Sequence, residues 1–114
     1  MSKLLYRNNA DVVLNGHEHV YARFQPQDPD GKVDAGRGIT QFTVGTGGED
    51  LDSLSPAQDR AAEHVVTGED TAYGAMKLTL NPDGYDWSFR PVKAANGQPA
   101  SVLNYSDSGS GHCH

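Results

Sequence analysis

Cysteine is nearly absent from this 114-residue chain. Cys113 is the single one, which excludes an internal disulfide framework and any Cys-x-x-Cys zinc site within one chain. Long apolar runs are missing as well. The longest are triplets such as Val12-Val13-Leu14, far short of the roughly 20 residues a membrane helix needs, so no membrane partner is expected. Positive charge is scarce: nine Lys and Arg face 15 Asp and Glu, a net charge of -6 with neutral histidines. No basic field attracts a phosphate backbone, and no nucleic-acid partner is expected. The first residues, Met1-Ser2-Lys3-Leu4-Leu5-Tyr6, lack the apolar core and small-residue cleavage site of a signal peptide. Neither a Gly-x-Ser-x-Gly elbow nor a phosphate-binding P-loop occurs, since Gly45-Thr46-Gly47-Gly48 has no Lys-Ser/Thr behind it.

What is present is short strands separated by turn chemistry, with 36% hydrophobic residues to build one modest core. The first nine residues place Leu4, Leu5 and Tyr6 on one side of a short helix and Lys3 and Arg7 on the other, ending at Asn8-Asn9. Asp11 to Asn15 is an apolar, β-branched run closed by Gly16 and is expected as a buried strand. Val20 to Phe24 leads away from the following loop, and Gln25 to Gly31 is an exposed turn. Ile39 to Val44 alternates and stops in the Gly45 to Gly48 turn. From Glu49 to Asp70 seven acids accompany one Arg, with a short helix expected over Pro56 to His64 after Ser55. Tyr73 to Leu80 and Tyr85 to Val92 flank Asn81-Pro82-Asp83-Gly84; Tyr85, Trp87 and Phe89 share a face, which predicts a β-hairpin with one apolar side. The Gly, Ser, Asn and Pro of 93 to 114 suggest a wrap over the surface.

Chemistry concentrates at Gly16-His17-Glu18-His19. A glycine at a strand end permits a tight turn, and two imidazoles one residue apart can converge on one metal ion or on neighbouring ones. Glu18 between them is expected to face outward by alternation, the alternative being a role in proton transfer. Tyr21 and Arg23 are candidates to border a substrate cleft, the alternatives being a core position for Tyr21 and an acidic partner for Arg23. A second His-x-His lies in Gly111-His112-Cys113-His114, where His112, Cys113 and His114 form a secondary metal candidate of zinc or copper character, against the plainer reading of an exposed tail.

Asp11 to Arg23, with its Gly-His-Glu-His core, resembles the last signature of the calcineurin-like metallophosphoesterases, particularly the purple acid phosphatase and alkaline phosphatase-like branch. The resemblance continues through Gly38 to Gly48, Tyr73 to Leu78 and Ser106 to Gly111, covering most of the chain outside the acidic segment. It implies a dinuclear metal site at the strand ends of a β-sandwich, with His17 on one metal and His19 on the other. Zinc, iron or manganese would serve, copper also being compatible with imidazole ligands. Phosphoester hydrolysis is the implied reaction and a phosphoester the implied substrate. The family's upstream ligand motifs D-x-H, G-D-x-x-D and G-N-H-E are absent from these 114 residues, and Gly-Asp does not occur at all. The chain therefore resembles the C-terminal portion of such an enzyme, without the bridging aspartate, and no residue in it is assigned as catalytic acid or base.

The resulting expectation is an α+β, mostly β fold: the C-terminal half of a metallophosphoesterase-type β-sandwich with one or two short helices, completed by self-association into a homo-oligomer. Residues 1–92 form the partial domain, with 49–70 an acidic surface excursion, and 93–114 a Gly/Ser-rich tail. The alternative is a non-catalytic metal-binding or structural β-rich module, dimeric in use.

Overall fold

A computed structural model describes residues 3–52, 54, 64–93 and 98–114. Helix α1 (Lys3–Arg7) stops at Asn9, whose positive φ of 57° is tolerated by its short amide side chain. There the Asn9 N–H donates to Tyr6 O and the Ala10 N–H to Leu5 O, the two bonds of a Schellman cap. None of the helix's residues is buried. Tyr6 ties it down, its hydroxyl donating to Asp34 Oδ2 at 2.8 Å while the Arg37 guanidinium lies over its ring.

Four strands make the first sheet: β1 (Val12–Asn15), β2 (Tyr21–Phe24), β3 (Thr40–Val44) and β4 (Val65–Glu69), in the spatial order β1-β3-β2-β4. β1 runs parallel to β3, Asn15 opposite Thr43, whereas β2 is antiparallel to both β3 and β4. The second sheet is an antiparallel meander of β5 (Tyr73–Asn81), β6 (Gly84–Val92) and β7 (Asp107–His112). A 3-10 helix (Ala100–Asn104) precedes β7 and buries Val102. The fold is mostly β.

The sheets meet through aromatic rings. Tyr21, Phe42, Tyr85 and Phe89 form the buried cluster, with Val12, Val44, Met76, Leu78, Trp87 and Tyr105 packed around it. Tyr21 stacks on Phe89 with centroids 4.1 Å apart, and Phe42 meets Trp87 edge-on at 5.3 Å. Pairs of this kind contribute about 0.5–1.5 kcal/mol each beyond the area they bury. The alternation of Tyr85, Trp87 and Phe89 thus supplies the face expected of the hairpin.

Three expectations are corrected. The Asp11 to Asn15 run is an outer strand, and Leu14 is 51% exposed. Val65–Glu69, placed within the acidic excursion, is strand β4, because Val65, Val66 and Thr67 are β-branched and pair with β2. Part of the tail expected over 93–114 is a sheet element, from Asp107 to His112, and shares its sheet with β6. Its glycines make this work: a Cβ on Gly111 would overlap the Tyr85 ring, and one on Gly109 would overlap Trp87. The rings of β6 fill the space that β7 leaves empty. The helix expected over Pro56 to His64 lies outside the described residues except at His64, whose carbonyl accepts the Gln25 N–H at 2.8 Å.

Candidate functional site

β1 and β3 are parallel neighbours, so their carboxyl ends emerge side by side. Past Asn15 comes Gly16-His17-Glu18-His19; past Val44 comes Gly45-Thr46-Gly47-Gly48. The two turns pack backbone to backbone. A Cβ on Gly45 would overlap the Glu18 carbonyl oxygen, so only glycine permits the approach, and the Gly45 N–H donates to Val20 O at 3.0 Å. Thr46, 1% exposed, donates its hydroxyl to Gly74 O at 2.9 Å and accepts the Gly74 N–H on its own carbonyl. The glycine turn is therefore anchored to the second sheet, and the histidine loop rests on that turn. A shallow open depression of about 310 Å³ adjoins it, lined by Leu14, Asn15, Gly16, Val44 and Met76.

Within the loop His17 and Glu18 are exposed, as expected for Glu18, and the His17 ring makes no hydrogen bond to a described residue. His19 is half-buried and differently held. Its Nδ1 lies 2.7 Å from Asp50 O, its main-chain N–H donates to Asp52 Oδ2 at 2.9 Å, and its carbonyl accepts the Asp52 N–H at 3.0 Å. These acids belong to the segment expected as a surface excursion; the contacts span more than 30 residues, and no spacing pattern announces them.

Tyr21 is a core residue. It is 0% exposed, and its hydroxyl donates to Asp107 Oδ2 at 2.5 Å. Arg23 forks onto the same carboxylate, Nε to Oδ2 at 2.9 Å and Nη2 to Oδ1 at 3.1 Å, while its guanidinium lies over the Trp87 ring. Trp87 Nε1–H completes the set at 3.2 Å. Burial by itself would push the Asp107 carboxyl up; the Arg23 fork, the Tyr21 hydroxyl and the indole N–H outweigh it and hold the carboxyl below its usual range. Tyr21 moves the other way, burial and then the Asp107 carboxylate raising its phenol far above the ordinary value. Such a phenol stays neutral and is no base. Asp107 was not singled out in the sequence, where Ser and Gly surround it.

The second histidine pair is separated in use. Cys113 donates its N–H to Asp83 O, and its thiol is pushed up by burial and by Asp11, the reverse of an activated nucleophile. His114 has both ring nitrogens occupied, Nε2 on Arg37 O at 2.8 Å and Nδ1 on Asp11 Oδ1. The Arg37 carbonyl and then Asp11 raise the His114 pKa, so the imidazolium that donates at both nitrogens is favoured. His112, Cys113 and His114 border an open groove of about 390 Å³ that Arg23 and Trp87 also line. Among the described residues no three His, Cys, Asp or Glu side chains are grouped to hold a metal ion. This applies to the His112-Cys113-His114 cluster and to the Gly16 to His19 loop alike.

The loop nevertheless suits a metal in part. A ligating histidine characteristically donates one ring N–H to a carbonyl or carboxylate and presents the other nitrogen, and His19 has that arrangement with Asp50. The donor set fits two ligands and stops short of a full shell. No family model matches the chain, and no match to a curated protein or to a solved structure was found.

Proposed function

We propose that this chain is the C-terminal portion of a calcineurin-like metallophosphoesterase, a metal-dependent phosphoester hydrolase, to which it contributes the two histidines of the Gly-His-x-His loop. One observation carries the reading: the loop leaves the carboxyl end of a parallel strand, where α/β sheets place ligands, with His19 Nδ1 engaged by a carbonyl. His17 and His19 would hold the metal ions, and zinc, iron or manganese bound there would draw phosphate oxygens and acidify water. Self-association belongs to the same proposal. Leu4 and Leu5 on α1 and Leu14 on the outer strand β1 are exposed.

The second reading is a β-rich module that binds metal, or is merely structural, without turnover. The loop's lack of a third donor among the described residues favours it. Elemental mass spectrometry after exhaustive dialysis, on the wild type and H17A/H19A, separates the two when followed by an aryl phosphate assay. Stoichiometric metal that the double variant loses, with turnover that H17A abolishes, supports the hydrolase. Metal without turnover supports the binding module. Protein free of metal, or metal indifferent to both substitutions, overturns the assignment of His17 and His19. A monodisperse monomer by light scattering overturns the self-association.

A further inference from the structure

His19 is held from two directions by one short segment. The Asp50 carbonyl lies 2.7 Å from Nδ1, and two residues on Asp52 exchanges hydrogen bonds with the His19 main chain through both its carboxylate and its N–H. A carbonyl oxygen can only accept, so the proton of the neutral ring must sit on Nδ1 and the lone pair on Nε2. That is the reverse of the tautomer free histidine prefers in water. Asp52 Oδ2 is 4.0 Å from Nδ1, too far to take the ring's hydrogen bond. It acts on the backbone, and the backbone contact brings the Asp50 carbonyl to the ring. Gly45 approaches the Glu18 carbonyl so closely that a side chain there would overlap it, a second contact on the same loop.

We propose that Asp52 is a positioning residue for His19: its clasp on the His19 main chain sets the ring in the Nδ1–H tautomer and presents Nε2 as a ligand nitrogen for a borderline transition metal such as Zn²⁺. The start of the acidic segment is then a support for the histidine loop. The proposal rests on the metal reading above only for what Nε2 binds; the tautomer stands independently of it.

Long-range ¹H–¹⁵N correlation spectra of the uniformly labelled full chain, free of metal and above the imidazole titration, read the tautomer directly. In the wild type His19 should show a protonated Nδ1 and an unprotonated Nε2. D52A should shift His19 toward the Nε2–H form and leave His17 unchanged. D52N, whose side-chain oxygen still accepts the His19 N–H, should restore the wild-type pattern. Titration with Zn²⁺ alone should then weaken about 10–100-fold in D52A and remain within about threefold in D52N. The remaining amide spectrum reports whether each variant is folded, and D52L, close to Asp in shape but without an acceptor, takes the place of D52A with the same expected shift if D52A is not. An Nε2–H tautomer in the wild type, or a D52A spectrum identical to it, overturns the clasp. The expected tautomers without Zn²⁺ binding to any form uphold the clasp and defeat the metal reading instead.

Discussion

Two polar constellations share strand β2 and its neighbourhood, and they differ in what surrounds them. Around Asp107, at the junction of the sheets, a carboxylate that is 8% exposed receives a guanidinium fork, a phenol and an indole. Every group there has its partner, and no buried side-chain nitrogen or oxygen among the described residues lacks one. Around His17 and His19, just before β2 in the chain, one ring has no hydrogen bond to a described residue and the other has one nitrogen engaged. Saturation inside marks a structural knot, because unpaired groups in a low-dielectric interior are costly. Incomplete pairing at the surface costs little and leaves capacity for a ligand. Asp, Arg and Tyr at one place and His at the other are all chemistry-bearing residues; burial and partner count decide which of them hold the fold.

The sharpest way to break that contrast is D107A. It leaves the buried Tyr21 hydroxyl without its acceptor and the part-buried Arg23 guanidinium without its fork, and unpairing such groups costs about 3 kcal/mol, a large share of a small domain's stability. D107N keeps an acceptor for Tyr21 and Trp87 and should cost distinctly less. Urea unfolding midpoints measure both; an alanine variant as stable as the wild type would mean that the network is incidental. Next comes G45A, whose Cβ would overlap the Glu18 carbonyl oxygen, so the backbone of the loop must shift. A loss of about 1–3 kcal/mol is expected, together with displacement of the histidine loop. G47A, which meets nothing within 4 Å, is the control and should be neutral or slightly stabilising. Equal effects of the two would remove the claim that the turn supports the loop.

The contrast also explains what could be seen in the sequence. Tyr85, Trp87 and Phe89 alternate in the order a strand requires, so β6 and its hairpin were legible, as was the strand-loop geometry around Gly16. β7 was not. Asp-Ser-Gly-Ser-Gly-His has no β-branched or aromatic residue, and its pairing is specified by the rings of its neighbour, a property of the partner strand. β4 carried a usable signal in Val65-Val66-Thr67, masked by the acids on either side. The Asp107 knot joins residues 84 apart, and the Asp52 clasp joins residues 33 apart; no local period encodes either. The Gly-His-Glu-His loop was visible because its chemistry is contiguous, while the residues that hold it are not.

His114 and Asp11 form an intermediate case, an ion pair near the surface that closes β7 against the start of β1. The His114 pKa is raised in the folded chain, so its contribution is complete below the ordinary histidine value and is lost as pH rises through the raised one. For Asp11 partial burial pushes up, but the His114 N–H and ring outweigh it, and its pKa is lowered. That contribution is present above the ordinary carboxylate value and is lost as pH falls through the lowered one. The pair therefore acts between the two. H114A should cost at most about 1 kcal/mol near pH 5.5 and almost nothing near pH 9, since the His114 N–H to Asp11 bond survives the substitution. Thermal melts at both pH values check this, and a loss that persists undiminished at the higher pH would assign the effect to packing.

The smallest expected effect on stability tests the other limit of the comparison. H17A/H19A removes two imidazoles that are exposed or half-buried, one of them without a hydrogen bond to any described residue, so without metal its unfolding free energy should lie within about 0.5 kcal/mol of the wild type. Added Zn²⁺ should then separate the two proteins. A ligand bound only to the folded state stabilises by about 2.7 kcal/mol at 100 times its dissociation constant, which the wild type should gain and the double variant should lack. In a domain of about this size 1 kcal/mol moves the melting temperature by roughly 4–8 °C, so the difference is easily read. A double variant that melts well below the wild type without metal would place these histidines with Asp107, among the residues that hold the fold, and the contrast between the two constellations would fail.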